Sequence, residues 1–204
     1  MGIRVACCCR WRRTFSYMAA AAVLALGTAS LAGADAIGSV QVYMQPDEGR
    51  ARLFPGAVHF ESAVHHLSAP AKAELVGALG RSFAEDSLRV DTAYDEDGAL
   101  LGYVIVSEEI GKFRPITFIV GIDPQFAVQG AAVLVYRESR GGQVRQPRFL
   151  RQYVGKDRSD PIRINRDIVN ISGATLSVRA LNFGVRKVLA LTEHFYGAAQ
   201  SAMH

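Results

Sequence analysis

Beyond residue 9 the chain has no cysteine: Cys7, Cys8 and Cys9 stand side by side, ahead of an apolar run. That absence excludes a disulfide framework, thiolate zinc sites, iron–sulfur clusters, cysteine nucleophiles and the Cys-x-x-Cys-His haem attachment from everything downstream. Any redox chemistry in this domain therefore needs an organic cofactor. The first 34 residues lack acid altogether while carrying Arg4, Arg10, Arg12 and Arg13, so the formal charge of +4 belongs to them. Residues 35–204 hold 19 basic and 19 acidic groups. A neutral domain gives no electrostatic ground for nucleic-acid binding. Internal repeats and low-complexity tracts are missing too, and at 204 residues with half of them hydrophobic the expectation is one ordinary domain with a real core.

What is present at the start has the three parts of an export signal. A cationic opening is followed by an apolar run from Tyr17 to about Leu31, then by small residues at Ala32-Gly33-Ala34 and Ala34-Asp35-Ala36 that suit signal peptidase. Residues 1–34 are read as a signal peptide, with the mature chain beginning near Asp35 or Ile37. Arg12-Arg13-Thr14-Phe15 also fits the core of a twin-arginine signal, so both export routes stay open. The alternative is an uncleaved anchor, because residues 15–34 reach the ~20 residues that cross a bilayer. The alanines and glycines in that stretch make it a weak span. In either case the domain faces the periplasm or the outer face of the inner membrane.

Residues 35–96 read as a lead-in packed on the main domain. Val40 to His66 is expected to be a strand or short helix, and Pro70–Ala84 a helix with Ala73, Val76, Leu79 and Phe83 at helical spacing. From Leu88 the period changes to that of strands. Leu88–Tyr94 and Leu100–Ser107 flank a turn, Asp95-Glu96-Asp97-Gly98, and Pro115–Ile122 and Ala131–Glu138 follow around a loop opening at Asp123-Pro124. Arg148–Tyr153 has room for one or two helical turns, and Ile162–Asn165 is a short apolar–polar alternation. Leu176–Tyr196 is the longest helical pattern, with Val178, Leu181, Val185, Val188, Leu189 and Thr192 in one stripe and Gly197 placed as its cap. The fold class is α+β: an antiparallel meander packed against an N-terminal helix and a long C-terminal helix.

The densest site signal lies at the entry to that last helix, in Ile171-Ser172-Gly173-Ala174-Thr175-Leu176-Ser177. Small residues give an uncrowded turn, and a hydroxyl at its end sits where the first free N–H groups of a helix point, a favourable place for a phosphate. Ordinary helix capping by Ser or Thr accounts for the same residues. The turn does not name its ligand.

The order of four motifs does more. Val120-Gly121-Ile122-Asp123, the strand Ala131–Tyr136, the run Glu138-Ser139-Arg140-Gly141-Gly142, and Phe149 followed by Gln152, Tyr153, Gly155 and Lys156 lead up to the Ser-Gly-Ala-Thr turn. Over about residues 97–195 this resembles the FMN-binding domain family, which includes flavin-carrying components of the sodium-translocating NADH:quinone reductase and of the Rnf complex, along with small exported flavoproteins. The resemblance implies an FMN-binding domain over residues 97–197. It implies covalent FMN, joined to Thr175 through a phosphoester by a flavin transferase, with Ser172, Gly173, Ala174, Leu176 and Ser177 at the phosphate and ribityl end. It also places Glu138, Ser139 and Gly141 near the flavin ring, with Gln152 and Tyr103 as further walls. The family usually carries Asp three residues before the Ser; here that position is Val169, with Asp167 and Asn170 nearby.

The function implied is that of an exported electron-transfer flavoprotein working between a membrane redox partner and an extracytoplasmic acceptor. The alternative is an accessory flavin-binding or flavinless subunit of a membrane reductase. An electron-transfer component, rather than a self-contained enzyme, suits a sequence without a visible acid, base and nucleophile set. The charge is uneven: residues 35–136 hold 7 basic and 14 acidic groups, residues 137–187 hold 12 and 4. A cationic half beside the cofactor would steer an acidic partner; a solvated face paired with the acidic half explains it equally. His65-His66, with His59 nearby, do not form a metal-ligand pattern, since neighbours on a strand point to opposite sides.

Overall fold

The computed structural model describes residues 40–201; the expected leader, residues 1–34, lies outside them. The elements are β1 (Gln41–Val42), α1 (Pro46–Leu53), β2 (His59–His66), α2 (Ala69–Leu79), β3 (Ser87–Tyr94), β4 (Leu100–Ile110), β5 (Pro115–Ile122), β6 (Val128–Tyr136), α3 (Pro147–Leu150) and α4 (Thr175–Ser201). The six strands form one antiparallel sheet in the order β1-β6-β5-β4-β3-β2. This is the expected α+β architecture. Val40 to His66 supplies two strands with a helix between them. β2 and β3 pair over their whole length.

Period-two alternation sorts the strand residues into two layers. On β5, Ile116, Phe118, Val120 and Ile122 join the larger core under α4, whereas Ile119 joins a smaller one with Leu53 and Phe54 at the end of α1. On β4, Tyr103 and Ile105 take the first face and Val104 the second. The sheet is thus sandwiched between α1 and α4.

Turn chemistry follows the sequence closely. In the β3–β4 hairpin Asp95 Oδ1 accepts from the amides of Asp97 at 3.0 Å and Ala99 at 2.8 Å, and Gly98 takes a φ of 77°. Asp123 repeats the device between β5 and β6, accepting from Gln125 and Ala127, each at 2.9 Å. Two helix ends depart from expectation. α2 stops at Leu79 because Gly80, at φ 68°, turns left-handed and its amide closes on Val76 O at 2.9 Å. α4 runs through Gly197 to Ser201. Gly197 keeps helical geometry there, and the alanines that follow it are strong helix formers.

The expected stripe of α4 is buried throughout: Val178, Leu181, Val185, Val188, Leu189 and Thr192 are each at most 1% exposed. The helix crosses β4 and β5 at close range. A Cβ built on Gly184 would stand 2.2 Å from Phe118 Cζ and 2.9 Å from Glu109 Cγ, so only a hydrogen fits. Next to this contact Lys187, 3% exposed at its side chain, meets Glu109 at 2.6 Å and Glu85 at 2.5 Å. Removing one partner of such a pair would strand a buried charge.

Gly184→Ala is expected to destabilise the domain by at least the ~1–3 kcal/mol typical of overpacking, because the obstacle is an aromatic ring in a filled core. Urea denaturation followed by circular dichroism measures it; a loss below 0.5 kcal/mol, the ordinary scatter of surface changes at about that size, would contradict the close seating of α4.

Candidate functional site

Thr175 is the first residue of α4 and Ala174 its cap, since the amide of Val178 donates to Ala174 O at 2.9 Å. The N–H groups of Thr175, Leu176 and Ser177 therefore belong to the first turn, which helical geometry leaves without an internal acceptor. The approach to this turn is fixed from below. Gly173 takes a φ of 79°, which places Ala174 in the core at 2% exposure while Thr175 stays half-exposed.

The Thr175 hydroxyl is held by Asn170, whose Nδ2 donates to Oγ1 at 3.0 Å. The other end of that amide is buried and meets no donor among the described residues. An orphaned acceptor of this kind costs ~1–3 kcal/mol unless a bound group supplies the donor. Val169, at the position where the resembled family has Asp, is 75% exposed; its backbone N–H donates to Gln152 Oε1 at 2.7 Å.

A second segment closes against the first. Tyr136, at the end of β6, donates its phenol proton to Arg140 O at 2.5 Å and lies 2.8 Å from Ser177 Oγ. Burial pushes the Tyr136 phenol up, so the proton it donates is retained. Gly141 folds over this pair at φ 90°; a Cβ there would lie 2.7 Å from Tyr136 Oη and 2.8 Å from Ser177 Oγ. Here both the positive φ and the lack of space demand glycine.

Two adjoining clefts flank the turn. One, of about 470 Å³, is lined by Gln41, Tyr43, Ser139, Arg140, Gly141 and Gly173 among others. The other, of about 540 Å³, includes Phe149, Gln152, Val169, Asn170 and Ser172. Gln143 and Gln146 belong to both. Each volume lies in the range of small-ligand sites.

The structure thus brings together Thr175, Ser172, Gly173, Ser139, Gly141 and Gln152. Ser177 and Ala174 support the turn from inside, and Leu176 is exposed on the first turn of α4. Glu138 faces elsewhere: its Oε1 accepts from the amides of Phe113 at 2.5 Å and Arg114 at 2.9 Å, tying down the β4–β5 hairpin. Tyr103 packs on Phe126 and on Tyr196 near the far end of α4, roughly 30 Å along the helix from Thr175. His65 also sits there, stacked on Phe195 with Nε2 2.7 Å from Tyr196 Oη. Asn170 and Tyr136 were not evident as site residues from the sequence. The one available signal for Asn170 was an amide between two β-branched residues just ahead of the small-residue turn.

Residues 111–190 match the FMN-binding domain family. By that match this segment is similar to FMN-binding domains. Among solved structures the chain resembles the crystal structure of NqrC from Shewanella oneidensis, with a TM-score of 0.54 and 16% identity over 78% of this chain and 90% of that one. At that identity the likeness establishes the fold. No match was found among curated proteins.

The residues present fit the phosphate ester that FMN brings. A helix start with free N–H groups suits the phosphate, and the orphaned Asn170 Oδ1 suits a donor on the polyhydroxyl chain. The polar, glycine-rich cleft at Ser139–Gly142 suits a flat ring with hydrogen-bonding edges.

The segment that delivers the turn is anchored by Asp167. Burial opposes ionisation of this carboxyl, but the amides of Arg163 at 2.8 Å and Ile162 at 3.0 Å and the Lys156 ammonium at 2.9 Å outweigh it and hold Asp167 below the ordinary carboxylate value. A depressed folded-state pKa contributes stability that is complete above the unfolded value of about 3.9 and is lost as pH falls through the folded one. Asp167→Asn should therefore lower Tm at pH 7, with the gap to wild type closing below about pH 4. Thermal melts across pH 2.5 to 7 test it, and a gap that is the same at both ends would contradict the assignment.

Proposed function

We propose that this protein is an exported electron-transfer flavoprotein whose FMN is joined through its phosphate to Oγ1 of Thr175. The observation that carries the reading is the Thr175 hydroxyl itself: half-exposed at a helix start, oriented by Asn170, beside two ligand-sized clefts, and inside the segment that matches the FMN-binding domain family. In forming the ester the threonine oxygen replaces one phosphate oxygen and its proton is lost, so the protein gains FMN less one water. A flavin transferase would carry out that step. The cationic, apolar and small-residue parts of residues 1–34 support export. Outside the cytoplasm no free flavin pool replaces a lost cofactor, which favours a covalent tether over affinity alone.

When bound, the flavin ring supplies one- and two-electron chemistry. The chain's own residues supply position. The amides of the first turn of α4 and the adjacent Asn170 fix the phosphate end, and the Ser139–Gly142 segment, locked by Tyr136 and Ser177, forms the rim against which a ring can lie. Electrons would pass between a membrane donor and an extracytoplasmic acceptor. Val169 favours a second reading, an accessory subunit that holds flavin loosely or not at all, since an exposed apolar side chain stands where a transferase would meet a carboxylate.

Intact mass of the protein co-expressed with a flavin transferase separates the two. A gain of one FMN less water, absent in Thr175→Ala, is expected; an unmodified mass with no flavin released on denaturation would establish the second reading instead. Val169→Asp should raise the modified fraction, because residue 169 is 75% exposed and open to an approaching enzyme.

A further inference from the structure

We propose that the cleft between α2, the 162–165 loop and α4 is a binding site for a small organic polyanion, one carrying at least two carboxylate or phosphate groups. The cleft has a volume of about 460 Å³ and is lined by four arginines, Arg81, Arg163, Arg179 and Arg186, and by no acidic residue. They come from three separate parts of the chain, so the fold and not one cationic run gathers them.

Two of the guanidiniums are held in place, and the backbone that carries a third is fixed. Arg186 Nη2 donates to Leu79 O at 3.0 Å, and Arg81 lies over the Phe183 ring at 4.3 Å. Arg163 follows Ile162, a β-branched residue at φ 43°, and this costly backbone is maintained by the Asp167 carboxylate accepting from the amides of both. Among the described residues Arg163, Arg179 and Arg186 form no ion pair; Arg81 reaches Glu109 only at 3.8 Å. Burial, and secondarily the Arg163 charge, pull Arg186 below the ordinary guanidinium value.

The spacing sets the ligand class. Arg179 and Arg186 are seven residues apart on one face of α4, ~10 Å along the axis. Each guanidinium presents a planar fork that suits one carboxylate or one phosphate face. A single compact anion satisfies one or two forks, whereas a molecule with anionic groups at both ends engages the set. The cleft adjoins the α4 face that begins at Thr175, but its residues need no flavin to form it.

Isothermal titration calorimetry of the purified full chain, prepared without flavin transferase, tests the site with pyrophosphate, succinate and, at matched ionic strength, sodium chloride. At least one polyanion should bind with one-to-one stoichiometry, and Arg163→Gln combined with Arg179→Gln should weaken it by about tenfold or more. Both side chains are exposed, so the double variant should keep the wild-type melting temperature; Arg179→Gln alone serves if it does not. Arg151→Gln, outside the cleft, should bind as wild type. Pyrophosphate alone binding assigns phosphate esters, succinate alone assigns dicarboxylates, and both assign a general polyanion site. Heats no larger than those of chloride, or an equal loss in Arg151→Gln, would overturn the proposal. Because no flavin is present, neither result depends on the fate of Thr175.

Discussion

Everything functional in this domain hangs on the seating of α4 against the sheet. At Gly184 the helix backbone comes down onto Phe118 with no space for a methyl group. That contact fixes the height of the helix, and the buried stripe from Val178 to Thr192 fixes its rotation. Once both are set, Thr175 must emerge beside the end of β6, where Tyr136 and Gly141 meet Ser177, and Arg179 and Arg186 must line the cleft facing the 162–165 loop. Packing at the middle of the helix thus determines chemistry at its beginning.

Charge is handled in two contrasting ways at two neighbouring residues of that helix. Lys187 is buried, and in low dielectric a lone ammonium would be costly; Glu109 and Glu85 close on it at 2.6 and 2.5 Å. Burial pushes the Glu109 carboxyl up, and the Lys187 charge pulls against that. One residue earlier, about 100° round the helix, Arg186 enters a cleft whose lining offers it a carbonyl and other arginines but no acid. A protein that satisfies Lys187 so completely has the means to satisfy Arg186. The missing carboxylate reads as room for an external one.

How much of this was legible in the sequence depends on the range of the forces involved. Strands, hairpin turns and the α4 stripe are local patterns, and β3, β5 and the Asp95 and Asp123 turns appear where the residues placed them, whereas β4 runs on from Ser107 to Ile110 and β6 spans Val128–Tyr136 instead of Ala131–Glu138, because pairing with β5 sets the strand ends. Thr175 was legible through the motif that carries it. Asn170 was not, because its role rests on a side-chain contact that only the folded turn creates. Glu138 sits inside a recognisable motif, yet its carboxylate serves the Phe113–Arg114 amides from across the sheet edge, a partnership of 24 and 25 residues' separation that spacing alone cannot show. The arginine cleft was visible only as an excess of basic residues between 137 and 187; its geometry depends on Arg81, which lies outside that stretch, in the acidic half of the chain.

The two sites on α4 are neighbours but electrostatically unequal ones. Thr175 and Arg179 are one turn apart, ~6 Å along the axis, whereas Thr175 and Arg186 are ~16 Å apart. At physiological salt the Debye length is ~8 Å, so the proposed phosphodiester at Thr175 would act on Arg179 and be largely screened from Arg186. Arg179 is therefore the one group the two proposed sites share: an anion on Thr175 would draw it toward the helix start, and an anion in the cleft would draw it toward Arg186. A single exposed guanidinium with two competing anionic partners would couple occupancy of the cleft to the environment of the phosphate without any movement of the helix that carries both.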